Sequence, residues 1–161
     1  MKRNHTTAVH VHHVLEITAW LLWIASLLVA VYGIRTLPDE IATHFALDGT
    51  PDGYGSPTAL LVSPLLMLPC LALVSVVVHA VKPEFWNMPF RVREECKQRV
   101  YRDMMTMMCA IEAEIAAFTL YAQVKSYNQS GTGVLAAVGG LTIALAATIL
   151  GMCMRAHRHN R

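Results

Sequence analysis

Two acidic residues lie inside an apolar segment and are the most informative ionisable groups in the sequence. Glu112 and Glu114 fall within the otherwise mostly apolar stretch from Met104 to Val124. Carboxyl groups are costly inside a bilayer, so those found there usually face a partner, a cavity or a functional path. Positions two apart on a helix point in different directions, so the two side chains cannot face the same neighbour. Each is a hydrogen-bonded structural acid, a proton- or cation-coupling group, or a polar anchor in a ligand cavity.

A second group of polar residues lies in the loop His44-Phe-Ala-Leu-Asp-Gly-Thr-Pro-Asp-Gly-Tyr-Gly-Ser56. Its Asp-x-Thr-x-Asp-Gly spacing matches the start of a calcium-binding loop. The twelfth position is Ala59, where an EF-hand requires a bidentate glutamate, so an EF-hand is excluded. His44 and Asp52 remain weak metal-ligand candidates, and a membrane enzyme with a metal at these two residues is one hypothesis.

Other catalytic and cofactor motifs are absent from the sequence. It contains no Gly-x-Ser-x-Gly, His-Glu-x-x-His or P-loop pattern. The four cysteines, Cys70, Cys96, Cys109 and Cys153, have no Cys-x-x-Cys spacing, so neither a zinc site nor a disulfide framework is predicted. We therefore predict no cofactor and no catalytic residues.

The elements that must position these residues are long apolar segments. Hydrophobic residues make up 55% of the 161 residues and charged residues 15%, against about 45–50% and about 25% in soluble domains. About 20 apolar residues suffice to cross a hydrocarbon core. We predict a single all-α membrane domain over residues 1–161, with disordered tails at about 1–10 and 156–161. Its four transmembrane helices are predicted at about 14–34, 58–81, 98–124 and 133–154.

The first apolar segment also has some features of a secretory signal peptide. It follows Lys2 and Arg3, as the apolar part of a signal peptide would. However, Ile17 to Ile34 is long for such a segment and lacks an Ala-x-Ala cleavage pattern. We therefore interpret it as a membrane helix.

The distribution of Lys and Arg predicts the orientation of these helices. Eleven basic residues fall on the side of the two tails and the loop after the second helix, and two, Arg35 and Lys125, fall on the other side. Positive residues concentrate in cytoplasmic loops, so both termini are predicted to be cytoplasmic and the polar loop to face outward. The expected location is the bacterial inner membrane. Topology and anionic lipid account for the basic residues, so no nucleic-acid partner is predicted.

The polar loop is predicted to begin with a short helix at about residues 38–45. Pro38 suits a first helical position, with Asp39 and Glu40 in the first turn. Leu37, Ile41 and Phe45 recur at intervals of four, which is typical of an amphipathic helix. The pairs Asp48-Gly49 and Asp52-Gly53 then predict turns.

Two further segments suggest protein contacts. The basic segment 91–102 leads into the third helix and is a candidate surface for a cytoplasmic partner, with Asn87 bracing the start of that helix. In the fourth helix, small residues recur at intervals of four and form a ridge of Ala136, Gly140, Ala144 and Thr148, which is typical of close helix packing. That ridge packs within the bundle or forms the seam of a homo-oligomer.

The segment Leu37-Pro-Asp-Glu-Ile-Ala-Thr-His-Phe-Ala-Leu-Asp-Gly-Thr-Pro-Asp-Gly-Tyr-Gly-Ser56 resembles the signature of a bacterial membrane domain of unknown function. The stretches Phe85-Trp-Asn-Met-Pro-Phe-Arg-Val92 and Ile111-Glu-Ala-Glu-Ile115 also resemble that family. The domain forms the N-terminal half of SdpI-type immunity proteins, which protect a producer from its own secreted toxin and signal to a repressor. The sequence departs from the signature at Ala42, Ala46 and Pro57, and the C-terminal half of SdpI is absent.

Two functional hypotheses follow for a membrane protein of this kind. The first is a non-enzymatic immunity, sensing or accessory protein that binds a peptide, an envelope component or an ion through its outer loop. The second is a proton- or cation-coupled small transporter that uses Glu112 or Glu114. Glu16, at the start of the first helix, is either interfacial or equivalent to the first-helix glutamate of small multidrug transporters. The predicted site residues are His44, Asp48, Gly49, Asp52, Tyr54, Asn87, Glu112 and Glu114.

Overall fold

The computed structural model describes the backbone of residues 3–161 and the side chains from Val11 onward. Within that part of the chain there are four long helices and one two-stranded antiparallel sheet, which lies between the first two helices in chain order. The elements, in chain order, are α1 (Arg3–Thr36), β1 (Ile41–Phe45), β2 (Pro51–Gly55), α2 (Val62–Ala80), α3 (Lys97–Tyr127) and α4 (Val134–His159). A 3-10 turn at Pro57–Leu61 leads into α2, and two shorter ones, Pro83–Phe85 and Glu94–Cys96, lie between α2 and α3.

All four predicted membrane helices are confirmed as helices long and apolar enough to cross a bilayer. The apolar spans are 26, 24, 34 and 26 residues long in the described part of the chain, and about 20 residues are needed. The fourth helix continues to His159, so residues 156–159 are helical where a disordered tail was predicted. Of the predicted N-terminal tail, Arg3 onward belongs to α1, and residues 1 and 2 lie outside the described part.

The interface between α1 and α3 is the main axis of the bundle. His12 contacts Thr106 near one end, and Tyr32 contacts Tyr127 near the other. The residue numbers of these partners differ by 94 and 95, so the two helices run parallel with a nearly constant offset. Midway along the bundle the apolar core consists of Ala19, Met67, Leu71 and Ala116, with Trp20 and Trp23 packed around it.

The fourth helix packs mainly on α3 and leaves much of its surface uncovered. Of its predicted small-residue ridge, Ala144 and Thr148 are half-buried, whereas Ala136 and Gly140 are exposed. Among the described residues, nothing lies within 4 Å of the position that a Cβ atom would take at Gly140. The ridge therefore serves as a packing face only in part, and a homo-oligomer remains a prediction.

The predicted short helix at 38–45 is wrong, because the segment folds as the first strand of a β-hairpin. An interval of four residues also fits the two-residue alternation of a strand, so the spacing of Leu37, Ile41 and Phe45 did not distinguish the two structures. Ile41, Thr43 and Phe45 are β-branched or aromatic, which favours a strand. Ile41 pairs with Gly55 and Ala42 with Tyr54, and an irregular register follows toward the tip.

Candidate functional site

The tip of the hairpin is a tight turn built by Asp48 and Gly49. Gly49 has a φ of 88°, a backbone conformation that glycine adopts without steric cost. One carboxylate oxygen of Asp48 accepts hydrogen bonds from the backbone N–H of Thr50 at 2.9 Å and from its hydroxyl at 2.7 Å. The hydroxyl and then the backbone N–H of Thr50 hold the pKa of the Asp48 carboxyl below its ordinary value. This side chain therefore shapes the turn.

His44 and Asp52 face each other across the two strands. The Nδ1 atom of His44 pairs with a carboxylate oxygen of Asp52, and both side chains are exposed. A zinc site normally has three or four protein ligands. Among the described residues, no group of three or more His, Cys, Asp or Glu side chains is close enough to hold a metal ion. The pair is thus placed to brace the hairpin, and the geometry does not favour the metal hypothesis.

A glutamine from the loop between α3 and α4 joins the hairpin to the helical bundle. The side-chain oxygen of Gln129 accepts a hydrogen bond from the backbone N–H of Ala42 at 2.6 Å, and its amide nitrogen donates to the carbonyl of Ser126 at 2.6 Å. Gln129 has a φ of 53°, which is uncommon for a residue other than glycine. Sequence analysis did not identify Gln129, because a lone glutamine in a short loop belongs to no motif.

The turn of the hairpin also packs directly against the backbone of the same loop. A Cβ atom added at Gly131 would lie 2.7 Å from the carbonyl oxygen of Gly49 and 2.8 Å from its Cα atom. Only a residue without a side chain permits this approach. The two glycines and the Gln129 hydrogen bond together form a contact that we call the hairpin clamp.

Substitution of Gly131 tests the hairpin clamp. We expect Gly131→Ala to push the turn away from the loop and to destabilise the protein by about 1–3 kcal/mol, as overpacking does elsewhere. The matched control is Gly140→Ala, since a Cβ atom at Gly140 meets nothing within 4 Å in the described structure. Thermal unfolding in detergent measures the difference, and equal melting temperatures for the two variants would contradict the clamp.

The outer part of the hairpin presents apolar side chains without cover from the described chain. Tyr54 is 63% exposed and Leu47 is 83% exposed. Exposed tyrosines next to small polar residues are common in protein contact surfaces, where aromatic anchors contribute much of the binding energy. Tyr54 is therefore accessible on the surface of the hairpin, and its role as a contact residue stays a prediction.

Glu112 is the most unusual residue inside the bundle. It is 3% exposed, and neither of its carboxylate oxygens has a hydrogen-bond partner among the side chains described from Val11 onward. Glu114 points elsewhere, as its position on the helix requires. One of its oxygens accepts a hydrogen bond from the Thr148 hydroxyl of α4 at 2.5 Å. Glu114 therefore joins α3 to α4, while Glu112 faces the interior.

A second carboxyl group lies at the level of Glu112. Glu16 of α1 pairs with Nε2 of His79 at 2.9 Å and accepts from the Ser75 hydroxyl at 3.2 Å. Partners on α1 and α3 differ by 94 or 95 in residue number along the bundle. Glu16 therefore lies at the level of residues 110–111 of α3. Glu112 is one residue further along. Neither sequence interpretation of Glu16, as an interfacial residue or as a transporter-type glutamate, included this contact, since nothing in the sequence pairs Glu16 with His79.

Buried polar residues continue from Glu112 toward the hairpin along one face of α3. Glu112, Thr119 and Gln123 are buried at intervals of seven and four residues, which place them on the same face of a helix. Asp103 lies nine residues before Glu112, about half a turn away around the helix, and it contacts α4 instead. The part of the bundle between Glu112 and the hairpin therefore contains polar side chains in its interior.

The end of the bundle opposite the hairpin is held by Asp103. It is 1% exposed, and its two oxygens contact Nε of Arg155 at 3.1 Å and Nδ1 of His159 at 2.5 Å. Within the predicted partner surface 91–102, the backbone N–H of Arg93 donates to the side chain of Asn160 at 2.8 Å. The C-terminal end of α4 thus covers part of that surface.

Asn87 is exposed beside a cavity next to Trp86 and Met104. It was predicted to brace the start of the third helix, but α3 begins only at Lys97.

These features define the class of the protein and its relation to known sequences. The four apolar helices make it a multi-pass membrane protein. Residues 21–68 match the family model described as a domain of unknown function (DUF1648). The matched range covers the second half of α1, the whole hairpin and the start of α2. None of the curated proteins and none of the solved structures matches the chain.

Proposed function

We propose that this protein recognises a secreted peptide through its β-hairpin, as an immunity or sensing protein related to the SdpI type. The hairpin lies within the segment that matches the domain of unknown function. The hairpin carries two exposed apolar side chains, Leu47 at its turn and Tyr54 on β2. With both termini cytoplasmic, as the basic residues predict, this surface faces the outside of the cell.

The hairpin clamp is the observation that carries this proposal. Because Gln129 and Gly131 contact the hairpin directly, a ligand that moves the hairpin also moves the loop between α3 and α4. The third helix has 31 residues, so at about 1.5 Å per residue it reaches about 46 Å from that loop toward the opposite end of the bundle. A displacement at the hairpin can therefore reach the basic segment 91–102 through one continuous element.

A growth assay tests the proposal. Deletion of the gene is expected to make the encoding strain sensitive to cell-free medium from its own dense culture, and the wild-type gene is expected to restore growth. Tyr54→Ala together with Leu47→Ala is expected to lower the protective dose of medium at least about tenfold, the scale of losing an aromatic anchor. Phe85→Ala is the control, since Phe85 is exposed at the other end of the bundle. Full protection by the hairpin double variant, at equal membrane abundance, would refute the proposal.

A second function, proton- or cation-coupled transport of a small molecule, is favoured by one observation. Glu112 is buried with both oxygens free of partners in the described part of the chain, at the level of the Glu16–His79 pair. Carboxyl groups of this kind mark coupling sites in many transporters. Proteoliposomes with an imposed pH gradient and the lipophilic cation tetraphenylphosphonium provide the test. If the protein is a transporter, the wild type takes up the cation and Glu112→Gln abolishes this uptake. Glu84→Gln is the control and leaves the uptake intact, because Glu84 lies at an exposed loop position.

A further inference from the structure

A cavity lies beneath the hairpin, where it meets the helical bundle. Its volume is about 210 Å³. One wall is formed by β1, a second by the start of α2 with the preceding 3-10 turn, and a third by the end of α3. The lining residues that matter for its chemistry are Ile41, Ala59, Leu60, Ser63, Leu66 and Gln123.

The amide of Gln123 is an unsatisfied donor in the wall of this cavity. Gln123 is 2% exposed, and its side-chain oxygen accepts a hydrogen bond from the Ser63 hydroxyl at 2.7 Å. Its amide nitrogen has no hydrogen-bond partner among the described side chains and backbone. A buried amide N–H without an acceptor is unfavourable, so an acceptor entering the cavity would be bound there. The orientation of the amide is fixed by Ser63, which holds the oxygen end.

The lining and the volume of the cavity limit the kind of molecule that can carry this hydrogen-bond acceptor. No residue that lines the cavity is charged, and an unpaired charge would lose its hydration there without compensation. The volume is below the range of about 300–1,000 Å³ usual for whole small-molecule ligands. The cavity is therefore of a size to take one side chain.

Because β1 forms one wall of the cavity, a peptide is favoured over other uncharged molecules that carry a hydrogen-bond acceptor. Peptides that bind beside a strand place side chains in pockets next to it and use their backbone groups for hydrogen bonds. We propose that the cavity is a subsite for one uncharged apolar side chain of an extracellular peptide, whose neighbouring peptide carbonyl accepts a hydrogen bond from Gln123. This inference rests on the proposed function, because it identifies the class of side chain that the hairpin end of the protein selects.

The test uses the purified full-length protein in lipid nanodiscs and two small probes. N-acetyl-leucine amide supplies an apolar side chain with peptide carbonyls, and N-acetyl-lysine amide supplies the same carbonyls with a charge. Titration monitored by saturation-transfer NMR is expected to detect binding of the leucine probe and at least about tenfold weaker binding of the lysine probe. Gln123→Met, which keeps the length of the side chain but removes the donor, is expected to weaken binding about threefold to tenfold.

Two further variants keep the result interpretable. Ala59→Phe fills the cavity from the partly exposed 3-10 turn and is expected to abolish binding of the leucine probe. Gln98→Met, at an exposed position on α3, is the matched control and is expected to bind like the wild type. Equal binding of the two probes, or unchanged binding by Ala59→Phe, would overturn the inference. A tightly retained phospholipid in native mass spectra of the wild type, lost in Ala59→Phe, would also overturn it.

The failure of this inference is distinguishable from failure of the proposed function. If the hairpin double variant loses protection in the growth assay but the leucine probe does not bind, the hairpin acts without this cavity. If the leucine probe binds in the predicted manner but the hairpin double variant still protects, the cavity exists and the proposed function is wrong.

Discussion

Replacement of Glu112 by methionine is expected to raise the stability of the protein. The carboxyl group is buried, and its oxygens have no hydrogen-bond partner in the described structure. Burying a polar group without a partner costs about 1–3 kcal/mol by mutational measurements. Methionine is unbranched and adapts to irregular spaces, so Glu112→Met should recover about that free energy. A gain of stability on removing a polar residue is the sign that the residue is retained for function.

Glu114 provides the matched control for Glu112. It lies two residues away on the same helix, but one of its oxygens accepts a hydrogen bond from Thr148. Glu114→Met loses that bond, which offsets the gain from removing a buried carboxyl, so its effect should be within about 1 kcal/mol of zero. Thermal unfolding in one detergent at one pH compares the two variants. A loss of stability in Glu112→Met would mean that the carboxyl group has a structural partner, and would remove the argument for a coupling role.

Replacement of Asp103 by alanine is expected to destabilise the end of the bundle that lies opposite the hairpin. Its carboxylate holds Arg155 and His159 of α4 at 3.1 Å and 2.5 Å. Removing one partner of a fully buried ion pair costs about 3–5 kcal/mol. Here Arg155 remains largely exposed and can be rehydrated, so we expect about 1–3 kcal/mol. The end of α4 should then separate from α3 and expose the basic segment 91–102.

The Asp103 prediction is measured by thermal unfolding together with amide hydrogen exchange over residues 150–161. Asp103→Ala should accelerate exchange in that segment. Glu95→Ala is the control, because Glu95 pairs with Arg93 at 3.6 Å on the surface, and such pairs contribute little. Equal melting temperatures for the two variants, with no change in exchange near His159, would show that the buried contact does not hold the helix.

The helices of this fold were predictable because their signal is strong and local. An uncharged segment such as Ile17 to Ile34 has few alternatives to a membrane helix. The hairpin was not predictable from the same kind of evidence. The spacing of Ile41 and Phe45 fits a helix as well as a strand, and a turn at Asp48-Gly49 can follow either of them. Pairing of β1 with β2 decides the structure, and pairing is a property of two segments together.

The site residues also divide into those with a local signal in the sequence and those that depend on distant contacts. Asp48 and His44 could be named as candidates because they lie in a polar loop between apolar segments, and Glu112 because a carboxyl group is unusual inside an apolar segment. Gln129, Gln123 and Glu16 could not, because their importance depends on partners far away in sequence. Gln129 contacts Ala42, 87 residues earlier, and Glu16 contacts His79, 63 residues later. His44 was a weak metal-ligand candidate from the sequence, and the structure pairs it with Asp52.

The proposed function requires that the hairpin face the outside of the cell and contact a secreted ligand there. In a variant without its four native cysteines, Tyr54→Cys should react with a membrane-impermeant maleimide in intact cells. Glu95→Cys should react only after permeabilisation. Cell-free medium from a dense culture of the encoding strain should slow the reaction at position 54. Labelling of position 95 but not position 54 in intact cells, or an unchanged rate at position 54 in that medium, would contradict the account.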